Sequence, residues 1–254
     1  MKSKKLTLIL AIFFVIVVIT TLCSTMFMLA TIEVNFFNES SIFLGLETSI
    51  IESGEFEYGQ NILLINKKKY IKNLETKNPY LRVLNIESIF PNKLVINCLE
   101  RKELFYYQQS NNNYIILDKF YKVLKTVNAS ENVELLNGNI LIEGLLVDSF
   151  NEGEKLLLSA TENTKSNCIY NGLFMWSDDE NYLKSKLQSV RINNNDVVIT
   201  TKDNKKINIE SFVNLSEDKF NLAFSIYSSG VMIENNYIKI YENNSGEIVG
   251  VVGK

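Results

Sequence analysis

Three consecutive acidic residues, Asp178, Asp179 and Glu180, are candidates for proton-transfer chemistry. Paired carboxylates can act as general acid and general base when both face one substrate. Consecutive side chains point in different directions, however, and carboxylates are also common in the first turn of a helix, where they face unpaired amide groups. The sequence contains no histidine, which excludes Ser-His-Asp triads and histidine-ligated zinc. We therefore expect no enzymatic activity, no metal, no cofactor and no small-molecule substrate.

The charge distribution separates a short basic start from an acidic body. Lys2, Lys4 and Lys5 precede Ala30, whereas all 29 acidic residues follow it. Residues 31–254 carry the other 23 basic residues, so this part has a net charge of −6. A protein that binds nucleic acid needs a basic face to neutralise phosphates. We therefore expect no nucleic-acid partner.

The three cysteines, Cys23, Cys98 and Cys168, lie far apart and none belongs to a Cys-x-x-Cys motif. An odd number of scattered cysteines is not a disulfide framework. We interpret them as isolated thiols, with a disulfide between Cys98 and Cys168 as the alternative.

The segment Leu6–Ala30 contains no charged residue over about 25 positions. A helix rises about 1.5 Å per residue, so this segment exceeds the roughly 30 Å hydrocarbon core of a bilayer. It is longer than the apolar part of a signal peptide and has the large residue Met28 where a cleavage site needs a small one. We therefore expect a retained transmembrane helix. The lysines before it predict a cytoplasmic tail at residues 1–5, with residues 31–254 outside the cytoplasm.

Residues 31–102 have the pattern of a small domain with the element order β-α-α-β-β. Alternating residues predict a strand at Thr31–Phe37, and apolar spacing predicts helices at Ser41–Ser53 and Lys67–Lys77. Pro79 disfavours helical geometry in the residue before it and so ends the second helix. Pro91 lies in a predicted turn between two strands. The residues expected on the buried face of this hairpin are Leu84, Ile86, Phe90, Leu94, Ile96 and Cys98.

Residues 103–254 are expected to form a larger, mainly antiparallel β domain with flanking helices. Ser177 with Glu180, and Asn214 with Glu217, have the spacing of a capping box and predict the starts of two helices. Two strands are predicted on either side of a turn at Ser110–Asn113. The later predicted strands are Ile140–Leu146, Val190–Ile192, Val197–Thr201, Lys206–Ile209 and Tyr237–Tyr241. The fold class predicted for the whole chain is α+β, with an N-terminal transmembrane helix.

Three stretches of the sequence, taken together, resemble one family. The segments "GQNILLIN", "NPYLRVLNIESIFPNKLVINCLERK" and "YIILDKFYKVL" are similar to segments of the FtsQ/DivIB bacterial cell-division proteins. Phe37 and Tyr121 depart from the family pattern, which often has glycine at both places. The matching residues expected to shape the fold are Gly59, Asn61, Pro79, Tyr80, Pro91, Asn92, Leu94, Ile96, Glu100, Arg101 and Asp118.

The resemblance implies a POTRA-type first domain and a role that is not catalytic. Such proteins are scaffolds that link bitopic membrane proteins of the FtsL and FtsB/DivIC type outside the cytoplasm, at the division septum. A partner strand would add to the open edge of the last strand. The residues that match the family's terminal pattern are Tyr241, Ser245, Gly246, Val249 and Gly250. The alternatives are an ordinary closing hairpin at this place and, for the whole chain, a membrane-anchored envelope structural or interaction protein not tied to division.

Overall fold

The computed structural model describes residues 2–37, 42–109, 113–128 and 138–254, without the side chains of residues 2–8, 22–24 and 233. The chain divides into two compact units, Met1–Arg101 and Lys102–Lys254. They are called the first and second domain below. Cys98 in the first domain and Cys168 in the second are both free thiols, so the alternative of a disulfide between them is wrong.

The chain begins with a long helix, α1 (Lys2–Met26). Over the residues that are described, no helix has both the length and the apolar character needed to cross a bilayer. The segment Leu6–Ala30, which the sequence predicts to span a membrane, includes side chains at positions 6–8 and 22–24 that lie outside the described residues.

The first domain has the predicted order of strands and helices. Two helices cover one face of a sheet whose strand order is β1-β3-β2, with β1 parallel and β2 antiparallel to β3. Asn66 caps the second helix by accepting from the amide of Lys69, and the helix ends just before Pro79, as predicted. The elements are β1 (Thr31–Phe36), α2 (Glu47–Ser53), α3 (Lys67–Lys77), β2 (Leu81–Ile89) and β3 (Lys93–Glu100).

Two details of the first domain differ from the prediction. Helix α2 begins at Glu47, after Gly45 in the left-handed region at φ +75°, whereas the predicted start, Ser41, lies outside the described residues. Leu84 and Phe90 are exposed rather than buried. The pairing register of β2 shifts between Val83 and Asn85, and such a shift moves side chains to the opposite face. The Phe90–Pro91 peptide bond is cis.

The second domain is built on a nine-stranded sheet with the order β14-β13-β12-β11-β10-β7-β4-β5-β6. Most neighbouring strands are antiparallel, as predicted, while β7 runs parallel to both β4 and β10, and β12 runs parallel to β13. Strands β8 and β9 form a separate, two-stranded antiparallel sheet. The strands are β4 (Phe105–Gln108), β5 (Asn113–Leu117), β6 (Val123–Asn128), β7 (Ile140–Glu143), β8 (Val147–Ser149), β9 (Leu157–Leu158), β10 (Leu187–Asn193), β11 (Asp196–Thr201), β12 (Lys206–Ile209), β13 (Tyr237–Glu242) and β14 (Ile248–Gly253).

The second domain contains the helices α4 (Ala160–Trp176), α5 (Glu180–Lys186) and α6 (Ser216–Ser228). The sequence did not predict α4. Only two of its five buried residues, Ile169 and Leu173, are large and apolar, and the other three are Glu162, Ser166 and Gly172, so the apolar pattern is weak. Both predicted capping boxes are wrong. The Asp179 carboxylate, not Ser177, caps α5, and α6 follows Leu215, which has φ +51° and makes no side-chain cap.

Candidate partner-binding edge

Strands β13 and β14 form a hairpin at one end of the nine-stranded sheet. In the part of the chain that the structure describes, β14 pairs with β13 on one side and with no strand on the other. Alternate N–H and C=O groups of an edge strand point away from its neighbour and are open to a further strand. The hairpin therefore offers a backbone edge to a partner.

Asn243 shapes the turn of this hairpin. Its side-chain oxygen Oδ1 accepts from the amides of Ser245 and Glu247, each at 2.9 Å. Gly246 has φ +79° and donates its amide to the Asn243 carbonyl at 3.0 Å. Glycine adopts this left-handed conformation without the strain that other residues incur. The predicted residues Ser245 and Gly246 thus lie in one turn, but sequence reasoning missed Asn243, although the run Asn-Asn-Ser-Gly that it begins is rich in turn-forming residues.

One face of the hairpin is half open. Tyr241 pairs with Val249, and Lys239 pairs with Val251, which is 46% exposed. Directly opposite residues of paired strands share a face. The Lys239 ammonium lies 5.3 Å from the centre of the Tyr241 ring and 2.7 Å from a carboxylate oxygen of Glu210. The hydrogen bond to Glu210 raises the pKa of Lys239. This face therefore combines apolar, aromatic and cationic groups.

The other face of the hairpin packs against α6 at Gly250. A Cβ atom at this position would lie 2.3 Å from Ile226 Cδ1 and 3.2 Å from Ile240 Cδ1. A Cβ atom this close would force the end of the Ile226 side chain to move, so glycine here lets Ile226 of α6 pack directly against β14. The predicted residues Tyr241, Val249 and Gly250 therefore divide between two roles. The first two lie on the open face, whereas Gly250 fixes the helix behind the edge.

Lys219 secures the same helix to the sheet. Its side chain is fully buried, and the ammonium donates to the carbonyls of Glu210 and Ser211, each at 3.0 Å. Burial lowers the pKa of Lys219. Ser216 and Lys219 have the Ser-x-x-Lys spacing of some acyl-transfer enzymes, which sequence reasoning overlooked. The Ser216 hydroxyl has no hydrogen-bond partner among the described residues, and the Lys219 ammonium donates to the two carbonyls instead.

The acidic cluster has structural contacts. Asp179 Oδ1 accepts from the amide of Asn181 at the start of α5, and Glu180 forms an ion pair with Lys119 at 2.9 Å. The first contact is a helix cap, as the sequence suggested. Both residues thus stabilise the second domain.

Gly59 and Asn61 join the first domain to the segment that follows α1. The Gly59 amide donates to the Leu29 carbonyl at 3.0 Å, and Asn61 pairs with Met28 as an isolated β-bridge. Gly59 has φ +81°, and the Asn61 side chain accepts from the amide of Leu63 at 2.9 Å. These two residues therefore form a docking loop for the chain leaving α1.

Arg101 is the centre of a buried polar contact. Its guanidinium donates to Glu75 Oε2 at 2.9 Å and to the Leu81 carbonyl at 3.1 Å, and its amide donates to the Tyr80 carbonyl at 2.6 Å. Its partner across the domain is thus Glu75 on α3. Glu100 accepts from the amide of Ile42 at 3.5 Å.

The other matching residues of the first domain are structural. Pro79 follows the C-terminal cap of α3. The backbone carbonyl of Asn92, the residue after Pro91, accepts from the amides of Ala30 and Thr31. Two fully buried residues of β3, Leu94 and Ile96, belong to the core of this domain.

Asp118 and Tyr121 form the tight turn between β5 and β6. Asp118 Oδ1 accepts from the amides of Phe120 and Lys122 at 2.8 and 2.9 Å. Tyr121 has φ +59°, in the region that favours glycine. Its ring is buried and stacks on Phe105 with 5.4 Å between ring centres. Tertiary packing thus holds a tyrosine where the family often has glycine, and the turn is kept.

Phe37 is the other departure from the family pattern. Its amide donates to the Cys98 carbonyl at 3.0 Å and so extends the pairing of β1 with β3. Phe37 is not among the residues with positive φ, so its backbone does not require glycine.

The sequence is similar to a known domain family and to several known proteins. Residues 47–101 match the family model of the FtsQ-type POTRA domain. A cell division protein DivIB of Clostridium tetani is 30% identical over 183 residues, which cover 70% of this chain and 63% of the relative. A cell division protein DivIB of Clostridium botulinum strain Hall is 32% identical over 142 residues, covering 54% of this chain and 52% of the relative. The chain belongs to the FtsQ/DivIB family.

The FtsQ/DivIB assignment is confirmed most firmly in the first domain. The POTRA match contains Arg101 and the other residues singled out from the sequence there, and it also contains Glu75, which the sequence did not indicate. A third DivIB, from Clostridium acetobutylicum, is 32% identical over 100 residues, or 36% of this chain. The match covers 52% of the length of the Clostridium botulinum relative and 63% of the length of the Clostridium tetani relative.

Proposed function

We propose that this protein is a non-enzymatic scaffold of bacterial cell division. Residues 6–30 anchor it in the cell membrane, with residues 1–5 in the cytoplasm and both domains outside. There it links bitopic division proteins of the FtsL and FtsB/DivIC type while the septum forms. The division role is supported by relatives that are named cell division protein DivIB. The membrane topology is supported by the uncharged run Leu6–Ala30 and the lysines before it.

The observation that carries the scaffold role is the open edge of β14. A strand from a partner would pair with the unpaired backbone groups of β14, and its side chains would contact the half-open face of Tyr241, Val249 and Val251. Gly250 and α6 hold the edge in place from behind. Such a site binds an extended segment of a protein and needs no catalytic group.

The edge is tested with Val251→Lys. A lysine on an edge strand opposes the addition of another strand, and the exposed position leaves the core intact. We expect the affinity for the bitopic partner proteins from the same genome to fall about tenfold, which corresponds to about 1.4 kcal/mol. The affinity is measured with detergent-solubilised full-length proteins.

The matched control is Leu157→Lys. Leu157 is another exposed apolar residue of the second domain, and it lies on β9, outside the nine-stranded sheet. We expect it to leave the affinity unchanged. Equal affinities of Val251→Lys and the unsubstituted protein would exclude the β14 edge as the partner site.

The division role itself is tested by imaging. A fluorescent protein fused before Met1 should collect in a band at the septum of dividing cells. A uniform membrane signal in cells that divide normally would instead support the alternative, an envelope structural or interaction protein that is not tied to division.

A further inference from the structure

An apolar surface of the first domain remains open to solvent. It consists of Met28, Leu63, Leu64 and Phe90, which we call the apolar rim. All four are exposed, and Leu64 reaches 83% exposure. Single exposed apolar side chains are common on proteins, but adjacent ones form a surface that favours contact with an apolar phase or partner.

The apolar rim lies at the place where the chain leaves α1. Helix α1 ends at Met26, and the next carbonyl, that of Phe27, already accepts from the amide of Ile62 at 2.8 Å. The rings of Phe27 and Phe90 are in edge-to-face contact with 5.6 Å between their centres. Met28 forms a β-bridge with Asn61, two residues before Leu63. The rim is thus fixed directly beside the end of the apolar helix.

A cationic group flanks the apolar rim. Leu63, Phe90 and Lys67 line one open groove of about 460 Å³, which Glu87 and Ser88 also line. Lys67 and Lys68 begin α3, and the described residues offer neither of them an ion-pair partner, whereas the neighbouring Lys69 is paired with Glu57 at 3.5 Å. Apolar side chains bordered by lysines are typical of protein surfaces that bind the interface of an anionic bilayer.

We propose that the apolar rim seats the first domain on the headgroup layer of the membrane that α1 enters. The inference rests on the proposed anchorage by residues 6–30. A helix that enters the bilayer brings its own end to the headgroup layer, and the rim is bonded to that end without a spacer. Leu63, Leu64 and Phe90 then enter the interface, and Lys67 and Lys68 face the lipid phosphates.

The experiment measures the depth of Leu64 in a bilayer. Full-length protein with Leu64→Cys, in a Cys23→Ser and Cys168→Ser background, is labelled with a fluorophore and reconstituted into phosphatidylcholine and phosphatidylglycerol vesicles. Some of the lipids carry a nitroxide quencher on the headgroup. Cys98 is buried and stays unlabelled.

The matched control is the same protein labelled at Leu84→Cys. Leu84 is another exposed leucine of the first domain. It precedes Phe90 by six positions, a separation of about 20 Å along an extended strand.

We expect the label at Leu64 to be quenched about threefold more than the label at Leu84, with a smaller difference in vesicles that lack phosphatidylglycerol. Equal quenching of the two labels, in protein that floats with the vesicles, would overturn the inference and leave the anchorage standing. Protein that does not float with the vesicles would refute the anchorage, and the inference with it.

Discussion

Two helix contacts, one in each domain, are made with different chemistry. In the first domain, the Glu75 carboxylate on α3 contacts the Arg101 guanidinium at 2.9 Å and accepts from the amide of Val83 at 2.8 Å. In the second domain, α4 and α6 meet through apolar contacts, where the Gly172 backbone lies against the ring of Phe220. The first contact is charged and directional, and the second depends on shape, although the Lys219 ammonium also bonds α6 to the carbonyls of Glu210 and Ser211.

The charged contact constrains its two residues more than the apolar contact does. A buried carboxylate and guanidinium must be present together at fixed places, because either alone would be costly. Apolar contacts can be made by many side chains of similar volume. The family-model match covers residues 47–101 and so includes both Glu75 and Arg101.

The strongest test of the comparison removes the charged attachment with Glu75→Ala. Glu75 and Arg101 are 19% and 8% exposed, so the guanidinium would lose its carboxylate in a mostly buried place. We expect the free energy of unfolding to fall by about 3–5 kcal/mol, measured by urea denaturation of the full chain.

The control for Glu75→Ala lies on the same helix. Lys77 pairs with Glu55 at an exposed position, and Lys77→Ala should cost about 1 kcal/mol or less. Similar losses for the two variants would show that the Glu75–Arg101 pair does not hold α3 to the sheet.

The corresponding change in the second domain is Gly172→Ala. The new Cβ atom would lie 2.4 Å from ring atoms of Phe220, which is fully buried. Overpacking costs about 1–3 kcal/mol, while the better helix propensity of alanine returns about 1 kcal/mol. We therefore expect a net destabilisation of about 1 kcal/mol.

Gly253→Ala, where no heavy atom lies within 4 Å of the added Cβ, serves as the control and should change stability little. A stabilised Gly172→Ala protein would show that α4 and α6 are not closely packed at this point.

A smaller effect, of opposite sign, is expected from Tyr121→Phe. The Tyr121 hydroxyl is buried with no hydrogen-bond partner among the described residues, and an unsatisfied buried polar group is destabilising. Phenylalanine keeps the stacking on Phe105. We expect a gain of up to about 1 kcal/mol in thermal or urea unfolding. A loss of that size would mean that the hydroxyl has a bonding partner in solution.

The smallest effect at neutral pH concerns Cys98 in the first domain. Burial raises the pKa of the Cys98 thiol from an ordinary value of about 9 to about 12. Above about pH 9 the unfolded chain loses this proton while the folded chain keeps it, so the stabilising contribution is complete below that pH and is lost as the pH rises towards 12. The stability difference between the unsubstituted protein and Cys98→Ala should therefore shrink from about pH 8 to about pH 10 in urea titrations. A constant difference would contradict the burial of the thiol.

Local signals explain what could be predicted. The start and end of α3 were correct because Asn66 caps the helix and Pro79 limits it. Strands β11 and β12 were correct because their buried residues alternate. In the hairpin at the candidate edge, Ser245 and Gly246 were found from the family pattern. The residues responsible in these cases are close together in the chain.

What could not be predicted depends on contacts between distant residues. The partner of Arg101 is Glu75, 26 positions earlier, and nothing near either residue indicates the pair. Helix α4 includes Gly172, which a helix disfavours by itself and which is needed only because Phe220 packs there. Leu84 was misplaced because one shift in strand register cannot be seen in an alternating pattern.

Backbone hydrogen bonds hold the chain to the first domain directly after α1. Hydrogen bonds to the loop at Gly59–Ile62 begin with Phe27, one residue after the helix ends, and the amide of Ala30 already binds the Asn92 carbonyl. A flexible linker would absorb movement between two parts of a protein, but no such linker separates α1 from the first domain. We therefore expect any tilt or rotation of α1 to turn the first domain with it.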